Sequence, residues 1–339
     1  VRVLVTGGSG FLGRAVCVQL RAAGHQVRSL GRHRSAQLAA LGVEQHPADL
    51  RDRAAVADAV AGCAAVIHCA AKAGAWGPAA EYHAVNVGGT ENVIAGCLEH
   101  GVRRLVYTSS PSVVHRGRDL EGVDESVPYA TRFPGPYPRS KAEAEQRVLA
   151  ANSPQLATVA LRPHLIWGPG DPHFTPRILE AARTGRLRLV GPPGKRIDTT
   201  YVDNAAEAHL LALDRLHPAA PIAGRAYFLS QGDPRTTDDT LNALLAAAGL
   251  PPETRRVPRA PARAAAALLE TAYRAARVPA EPPLTRLVAG QLGTSHWFDI
   301  SAARRDLDYR PRIGTEEGLR RLAWHLAAST AGPENGGAR

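Results

Sequence analysis

The sequence predicts an α/β fold, a doubly wound parallel sheet followed by a smaller C-terminal lobe. Three observations predict it. The chain opens on an apolar run, residues 1–5, that flows into TGGSGFLG at 6–13 and then into a helical pattern ending near Ala23. Strand and helix patterns then alternate through the first half, the rhythm of a parallel sheet built from strand–helix–strand units. After about residue 165 the rhythm loosens into proline- and glycine-rich loops, GPGD at 168–171 and GPPG at 191–194. The expected division is a mainly Rossmann-type dinucleotide-binding domain over 1–165, to which part of the later chain can return. A mainly substrate-binding lobe follows over 166–330, and a disordered tail over 331–339.

Each expected strand is a short apolar run bounded by turn residues: 3–5, 26–30, 43–46, 65–69, 104–107 and 158–161. Helical periodicity fills the gaps. It is strongest over 80–100, with a bend expected at Gly88-Gly89, and over 137–152, and shorter over 36–41 and 54–60. Gly7, Gly10 and Gly13 fall where a strand feeds a helix. There the turn must be tight, the backbone must approach a phosphate, and the helix must pack closely on the strand. The amides at such a helix start lack intrahelical acceptors and point outward with the positive end of the dipole behind them, which suits a pyrophosphate.

A chain of 339 residues can bury a large core, and no apolar run approaches the ~20 residues needed to span a bilayer. Cys17, Cys63, Cys69 and Cys97 are scattered without CxxC spacing, which reads as reduced core thiols and predicts neither a disulfide framework nor a metal site. The N-terminal segment reads as a strand, not as a signal peptide, so the expected location is cytoplasmic. The formal charge of +10 raises the question of nucleic acid. Only three of the 41 basic residues are lysines, at 72, 141 and 195, and the arginines are spread along the chain with few aromatics between them. That pattern argues for no nucleic-acid partner and for a field that attracts anionic substrates and cofactors.

Cofactor choice is legible at the end of the second strand. A carboxylate there would accept the ribose hydroxyls of NAD, whereas this chain places Gly31, Arg32, His33 and Arg34. Arg32 or Arg34 can pair with a 2′-phosphate, so NADPH/NADP is expected in preference to NAD. The alternative is that both are solvated surface charges in an arginine-rich chain. Asp49 and Leu50, at the end of the third strand, are expected against the adenine.

The chemistry is expected in YPRSK at 137–141. Tyr137 and Lys141, four apart, share one helix face, so the ammonium can reach toward the phenol or the cofactor ribose. A phenol titrates near 10, and a neighbouring lysine together with the nicotinamide charge is expected to bring Tyr137 toward neutrality. Ser110, in YTSSPSV after the fifth strand, can hydrogen-bond a carbonyl oxygen that gains negative charge as hydride arrives. Ser109 stands beside it, and either hydroxyl can serve.

These motifs, with HCAAK at 68–72, NVGGT at 86–90, LRPHLIWGPGD at 161–171 and TYVDNAAEAH at 200–209, resemble the extended short-chain dehydrogenases/reductases, within them the 3β-hydroxysteroid dehydrogenase-like branch. The resemblance covers nearly the whole chain. It implies that Ser110, Tyr137 and Lys141 act as a catalytic trio, with Asn86 supporting the active-site helix or a proton relay. Around the dinucleotide it implies Gly7, Gly10, Phe11, Leu12, Gly13, Ala70, Ala71 and Pro163, together with Tyr137 and Lys141. AAKAGAWG at 70–77, TSSPSVVHR at 108–116, LATVALRPHLIWGPGD at 156–171 and GRLRLVG at 185–191 are similar to the bacterial 2-alkyl-3-oxoalkanoate reductases of olefin biosynthesis. That likeness implies reduction of the ketone of a hydrophobic β-keto acid, association with other enzymes of such a pathway, and a homodimer formed through the 80–100 and 137–152 helices.

Three residues outside the trio are candidates for the substrate. Trp76 and Trp167 fall in loops after the fourth and sixth strands and are plausible alkyl-chain walls, or rings that pack loops onto the sheet. Lys72 can hold the substrate carboxylate or a cofactor phosphate, or stand in solvent. Residues 259–278 combine alanine, leucine and arginine at helical spacing; their small apolar bulk favours a lid or packing helix over a helix lying on a membrane surface.

Other functions on the same scaffold are weighed by what the chain lacks. Dehydratases place an acidic pair after the catalytic serine or threonine, where Pro111 and Ser112 stand here. Nucleotide-sugar epimerases favour an acidic residue at the Gly31 position. A non-catalytic NADP-sensing protein can lose the tyrosine, which this chain keeps. A 3β-hydroxysteroid dehydrogenase-type activity stays open as the nearest alternative.

Overall fold

The computed structural model describes residues 1–330, so the tail expected over 331–339 lies outside the described residues. The strands are β1 (Arg2–Thr6), β2 (Gln26–Gly31), β3 (Glu44–Pro47), β4 (Ala65–His68), β5 (Arg104–Thr108), β6 (Leu120–Val123), β7 (Ala157–Pro163), β8 (Ile166–Trp167), β9 (Leu189–Val190), β10 (Arg196–Ile197), β11 (Thr200–Tyr201), β12 (Arg225–Leu229), β13 (Arg235–Thr236), β14 (Arg256–Val257) and β15 (His296–Phe298). The α-helices are α1 (Phe11–Ala22), α2 (Ala36–Ala40), α3 (Arg53–Val60), α4 (Ala79–Tyr82), α5 (Gly89–Glu99), α6 (Pro136–Ala150), α7 (Phe174–Arg183), α8 (Val202–Arg215), α9 (Thr237–Ala247), α10 (Arg259–Ala275), α11 (Arg286–Leu292), α12 (Ser301–Leu307) and α13 (Thr315–Thr330).

Seven parallel strands form the main sheet in the order β12-β7-β5-β4-β1-β2-β3. Its central strands read as continuous apolar runs because helices cover both faces. Val3, Leu4 and Val5 of β1 and all of β7 are buried. The strand order reverses between β1 and β4, and the crevice at that switch point, beyond the carboxyl ends of the strands, is where ligands of open α/β sheets bind. All six expected strands are present.

The expected boundary at 165 is crossed in both directions. β12 returns to the edge of the main sheet beside β7, and α8 packs on α1. β6, from the first half, instead joins β15, β10 and β13 in the sheet of the second lobe. A separate core there gathers Trp167, Leu179, Tyr201, Leu244 and Leu322.

Capping chemistry fixes several helix starts. Asp52 accepts from the Ala55 amide, Thr236 from Asp239 and Thr285 from Val288. Proline opens α6, where a missing N–H costs nothing. The expected bend near Gly88 is a π-helical turn, His83–Gly88, inserted between α4 and α5. It rotates Asn86 into the site described below.

Candidate active site

The glycine turn is shaped for a group that no side chain could share space with. Gly7 has φ +70°, and a Cβ there would stand 2.9 Å from the Ala70 Cα. On Gly13 it would overlap the Gly7 carbonyl oxygen, so α1 and β1 meet backbone to backbone. Gly8, which sequence reasoning passed over, is as constrained, with the Ser29 Oγ standing where its Cβ would need room. Gly10 precedes α1 without a side-chain cap, leaving the first-turn amides at Phe11, Leu12 and Gly13 for a ligand. Ala70, half-buried, and Ala71, exposed, lie across from this turn at the end of β4, and Pro163 is buried at the end of β7. These residues fit the pyrophosphate of a dinucleotide: a bare helix start, a left-handed glycine and a backbone floor.

Beneath the turn, a buried network locks β1 to β4 and α5. The Thr90 hydroxyl donates to the Asn86 carbonyl at 2.6 Å, so it accepts from His68 Nε2–H at 3.0 Å. His68 Nδ1 then accepts from Thr6 Oγ1 at 2.6 Å, and Thr6 in turn accepts from the Ala70 amide. Burial pushes His68 down to about 3, which keeps it neutral.

Arg32 and Arg34 are exposed beyond β2. Asp49 is gripped by Arg51 through bonds of 2.9 and 2.7 Å, which, with the Arg32 charge beyond, pulls its carboxyl down to about 2. Leu50 is buried against Gly89, its carbonyl held by Asn92 Nδ2 at 2.8 Å.

The second half of the site converges on α6. Ser110 ends the segment after β5, its Oγ accepting from the Ser112 amide at 3.2 Å and near enough to the Tyr137 phenol to draw its titration downward. The neighbouring Ser109 is buried with its Oγ unpartnered among the described residues. Ser110 is thus the serine that the fold brings to Tyr137. Asn86 fastens the same helix: its amide donates to Ser140 Oγ at 2.9 Å and to the Lys72 carbonyl at 3.1 Å, and its oxygen accepts from the Lys72 amide at 2.7 Å.

Lys141 is 3 % exposed and donates to the Thr108 carbonyl at 2.6 Å, with the Tyr107 ring face 4.2 Å away. Burial lifts the Tyr137 phenol above its ordinary value, opposed by its interaction with Ser110. The same desolvation pushes Lys141 down to about 7, opposed by the charge of Glu145.

The substrate candidates fare differently. Trp167 is 2 % exposed, donates to Thr199 Oγ1 at 2.9 Å and stacks edge-on against Tyr201, so it is core of the second lobe and not an alkyl-chain wall. Trp76 is half-buried and pins α10: its indole donates to the Val278 carbonyl at 3.3 Å, meets Tyr273 edge-on and lies under Arg274. Residues 259–275 form this helix, with Ala262, Ala266 and Glu270 on its buried side. Lys72 is paired with Glu81 at 2.9 Å, which answers its charge.

Sequence reasoning missed Glu145, Arg162 and Tyr129. Glu145 and Arg162 pair in the core through bonds of 2.5 and 3.0 Å, and the Tyr129 hydroxyl donates to Glu145 at 2.6 Å. The available signal was an arginine inside the apolar run of 157–163 and a glutamate four residues after Lys141.

Known proteins resemble this chain in sequence and in fold. The chain is 52 % identical over 330 residues to a 2-alkyl-3-oxoalkanoate reductase of Stenotrophomonas maltophilia, covering 97 % of this chain and 100 % of that protein. It is 50 % identical over 326 residues to a protein of the same name from Shewanella oneidensis, covering 94 % and 84 %. In three dimensions it is similar, with a TM-score of 0.73 and 27 % identity, to the UDP-glucose 4-epimerase of Thermus thermophilus in complex with NAD, over 97 % of this chain and 100 % of that one. Residues 4–259 match the 3-beta hydroxysteroid dehydrogenase/isomerase family, and the chain belongs to that family of oxidoreductases.

Proposed function

We propose that this protein is an NADPH-dependent reductase acting on the ketone of a 2-alkyl-3-oxoalkanoic acid to give a 2-alkyl-3-hydroxyalkanoic acid. The observation that carries the proposal is the approach of Ser110 to the phenol of Tyr137, which lies one helix turn before the buried Lys141. The two relatives at 52 % and 50 % identity that bear the name of this activity support the choice of substrate. Support for a nicotinamide dinucleotide comes from the glycine turn and from the NAD held by the similar epimerase. The exposed Arg32 and Arg34, with no carboxylate at position 31, favour the 2′-phosphate.

When bound, the dinucleotide supplies the hydride that reaches the carbonyl carbon. Ser110 holds the ketone oxygen by a hydrogen bond that strengthens as charge develops there. Tyr137 gives that oxygen its proton and completes the hydroxyl. A phenol held above its ordinary value by burial keeps its proton until the alkoxide forms, which suits the reductive direction. Lys141, one turn further along the helix, adds positive charge to the site once the proton has left, and Asn86 keeps the helix that carries both in register.

Initial rates of NADPH and NADH oxidation with a 2-alkyl-3-oxoalkanoic acid, a 3-ketosteroid and a UDP-4-keto sugar test the reading. The keto acid with NADPH is expected to turn over fastest. Turnover confined to the steroid would transfer the assignment to the 3β-hydroxysteroid branch.

A further inference from the structure

Lys141 carries its charge in a place that disfavours it. The groups facing it are Glu145 on its own helix, His68 and Cys69 at the end of β4, and the Tyr107 ring and Thr108 carbonyl of β5. Of these, Glu145 supplies the negative charge: burial holds the Cys69 thiol up at about 11, and it keeps its proton at neutral pH.

Glu145 is 0 % exposed, one turn beyond Lys141 on the inward face of α6. Its oxygens accept from Arg162 Nη2 and Nε and from the Tyr129 hydroxyl, so the carboxylate is fixed from two further elements. Arg162 lies 5.0 Å from the Phe228 ring centroid and 5.6 Å from that of Tyr129. A buried ion pair of this kind is a poor source of stability, because desolvation of both ions offsets their attraction, and its retention calls for another use.

We propose that Glu145 is a positioning residue for the reduction, its carboxylate, locked by Arg162 and Tyr129, holding the Lys141 ammonium charged on the helix that carries Tyr137. This rests on the reading of Lys141 as part of the reaction machinery. Arg162 and Tyr129 orient the carboxylate so that its field reaches back along the helix to the lysine, without any contact of their own with substrate.

The three lysines make the test direct. In protein labelled with 13C at lysine Cε, three side-chain resonances are expected, assigned with Lys72→Arg and Lys195→Arg. Titration of the Lys141 resonance in Glu145→Gln is expected to show a proton affinity about tenfold below that of the unsubstituted protein. The alkaline limb of kcat/KM moves with it, to lower pH. An unchanged Lys141 titration overturns the proposal, even in a variant with a lowered melting temperature, which is all that a packing role would give. Should Glu145→Gln fail to fold, Glu145→Asp draws the carboxylate away by one methylene and is expected to move the titration the same way by a smaller amount; no movement there overturns the proposal equally. Failure of the underlying reading has a different signature: Lys141→Met retaining turnover, whatever the titration shows.

Discussion

Lys141 donates to the carbonyl of Thr108 at 2.6 Å, so the lysine of α6 is held by the strand whose end leads into Ser109 and Ser110. Thr108 is anchored in its turn: His209 Nδ1–H donates to the Ala205 carbonyl at 2.7 Å, which leaves Nε2 to accept from the Thr108 hydroxyl at 2.8 Å. Helix α6, strand β5 and helix α8 are thereby joined by side-chain hydrogen bonds around the site.

Burying a lysine has a pH signature. Lys141 is pushed down to about 7 in the folded protein, whereas a lysine in the unfolded chain titrates near about 10.4. Between those values the unfolded chain binds more protons, so this residue makes stability rise with pH across that window. Below about pH 7 both states carry the charge and its burial costs most. The stability of Lys141→Met relative to the unsubstituted protein is therefore greatest near pH 6 and declines toward about pH 10. Urea unfolding across that range checks the slope.

The glycine turn separates a folding role from a binding role. A methyl group on Gly13 collides with the Gly7 carbonyl oxygen, so Gly13→Ala is expected to lose at least about 3 kcal/mol of stability. On Gly10 the methyl meets the same oxygen at 3.2 Å, a contact that a small shift relieves. Gly10→Ala is expected to stay folded and to bind the dinucleotide at least about tenfold more weakly, because the methyl stands where a phosphate must approach. Thermal melts paired with fluorescence titration distinguish the two.

Cofactor preference is expected to reside in Arg32 and Arg34. A charge-assisted bond to a phosphate contributes about 1.5–3 kcal/mol. The double replacement by alanine should therefore raise the KM for NADPH by about tenfold or more and leave that for NADH within about twofold. Equal effects on the two cofactors would assign both arginines to solvent.

Trp167 gives the test of the choice between alkyl-chain wall and packing ring. As core, its loss in Trp167→Ala is expected to cost about 3–5 kcal/mol. Trp76→Ala, which frees α10 from the loop after β4, should change stability less and KM for the keto acid more. Chemical unfolding and steady-state kinetics on both variants check the contrast.

The six strands and the glycine turn were legible because parallel strands buried on both faces must be apolar throughout, and because a left-handed turn under a helix tolerates little but glycine. Local pattern could not reveal β12. RAYFL is a short apolar run like many others, and only the tertiary edge offered by β7 makes it a strand of the main sheet. The π-helical turn before Gly88 was visible as a bend but not as the device that aims Asn86. Trp167 was left open between wall and packing because a loop position at the carboxyl end of a strand can face either the crevice or the neighbouring lobe, and the sequence does not record which. Glu145 and Arg162 escaped notice because their partnership spans two elements, and charges in apolar company read as exceptions until the pair is seen.

The most direct test is single-turnover hydride transfer, followed by the decay of bound NADPH after mixing with a 2-alkyl-3-oxoalkanoic acid, in Tyr137→Phe. Removing one hydroxyl leaves the glycine cradle untouched, so NADPH affinity should stay within about threefold while the transfer rate falls by about 10²–10⁴. A transfer rate close to that of the unsubstituted protein would contradict the account.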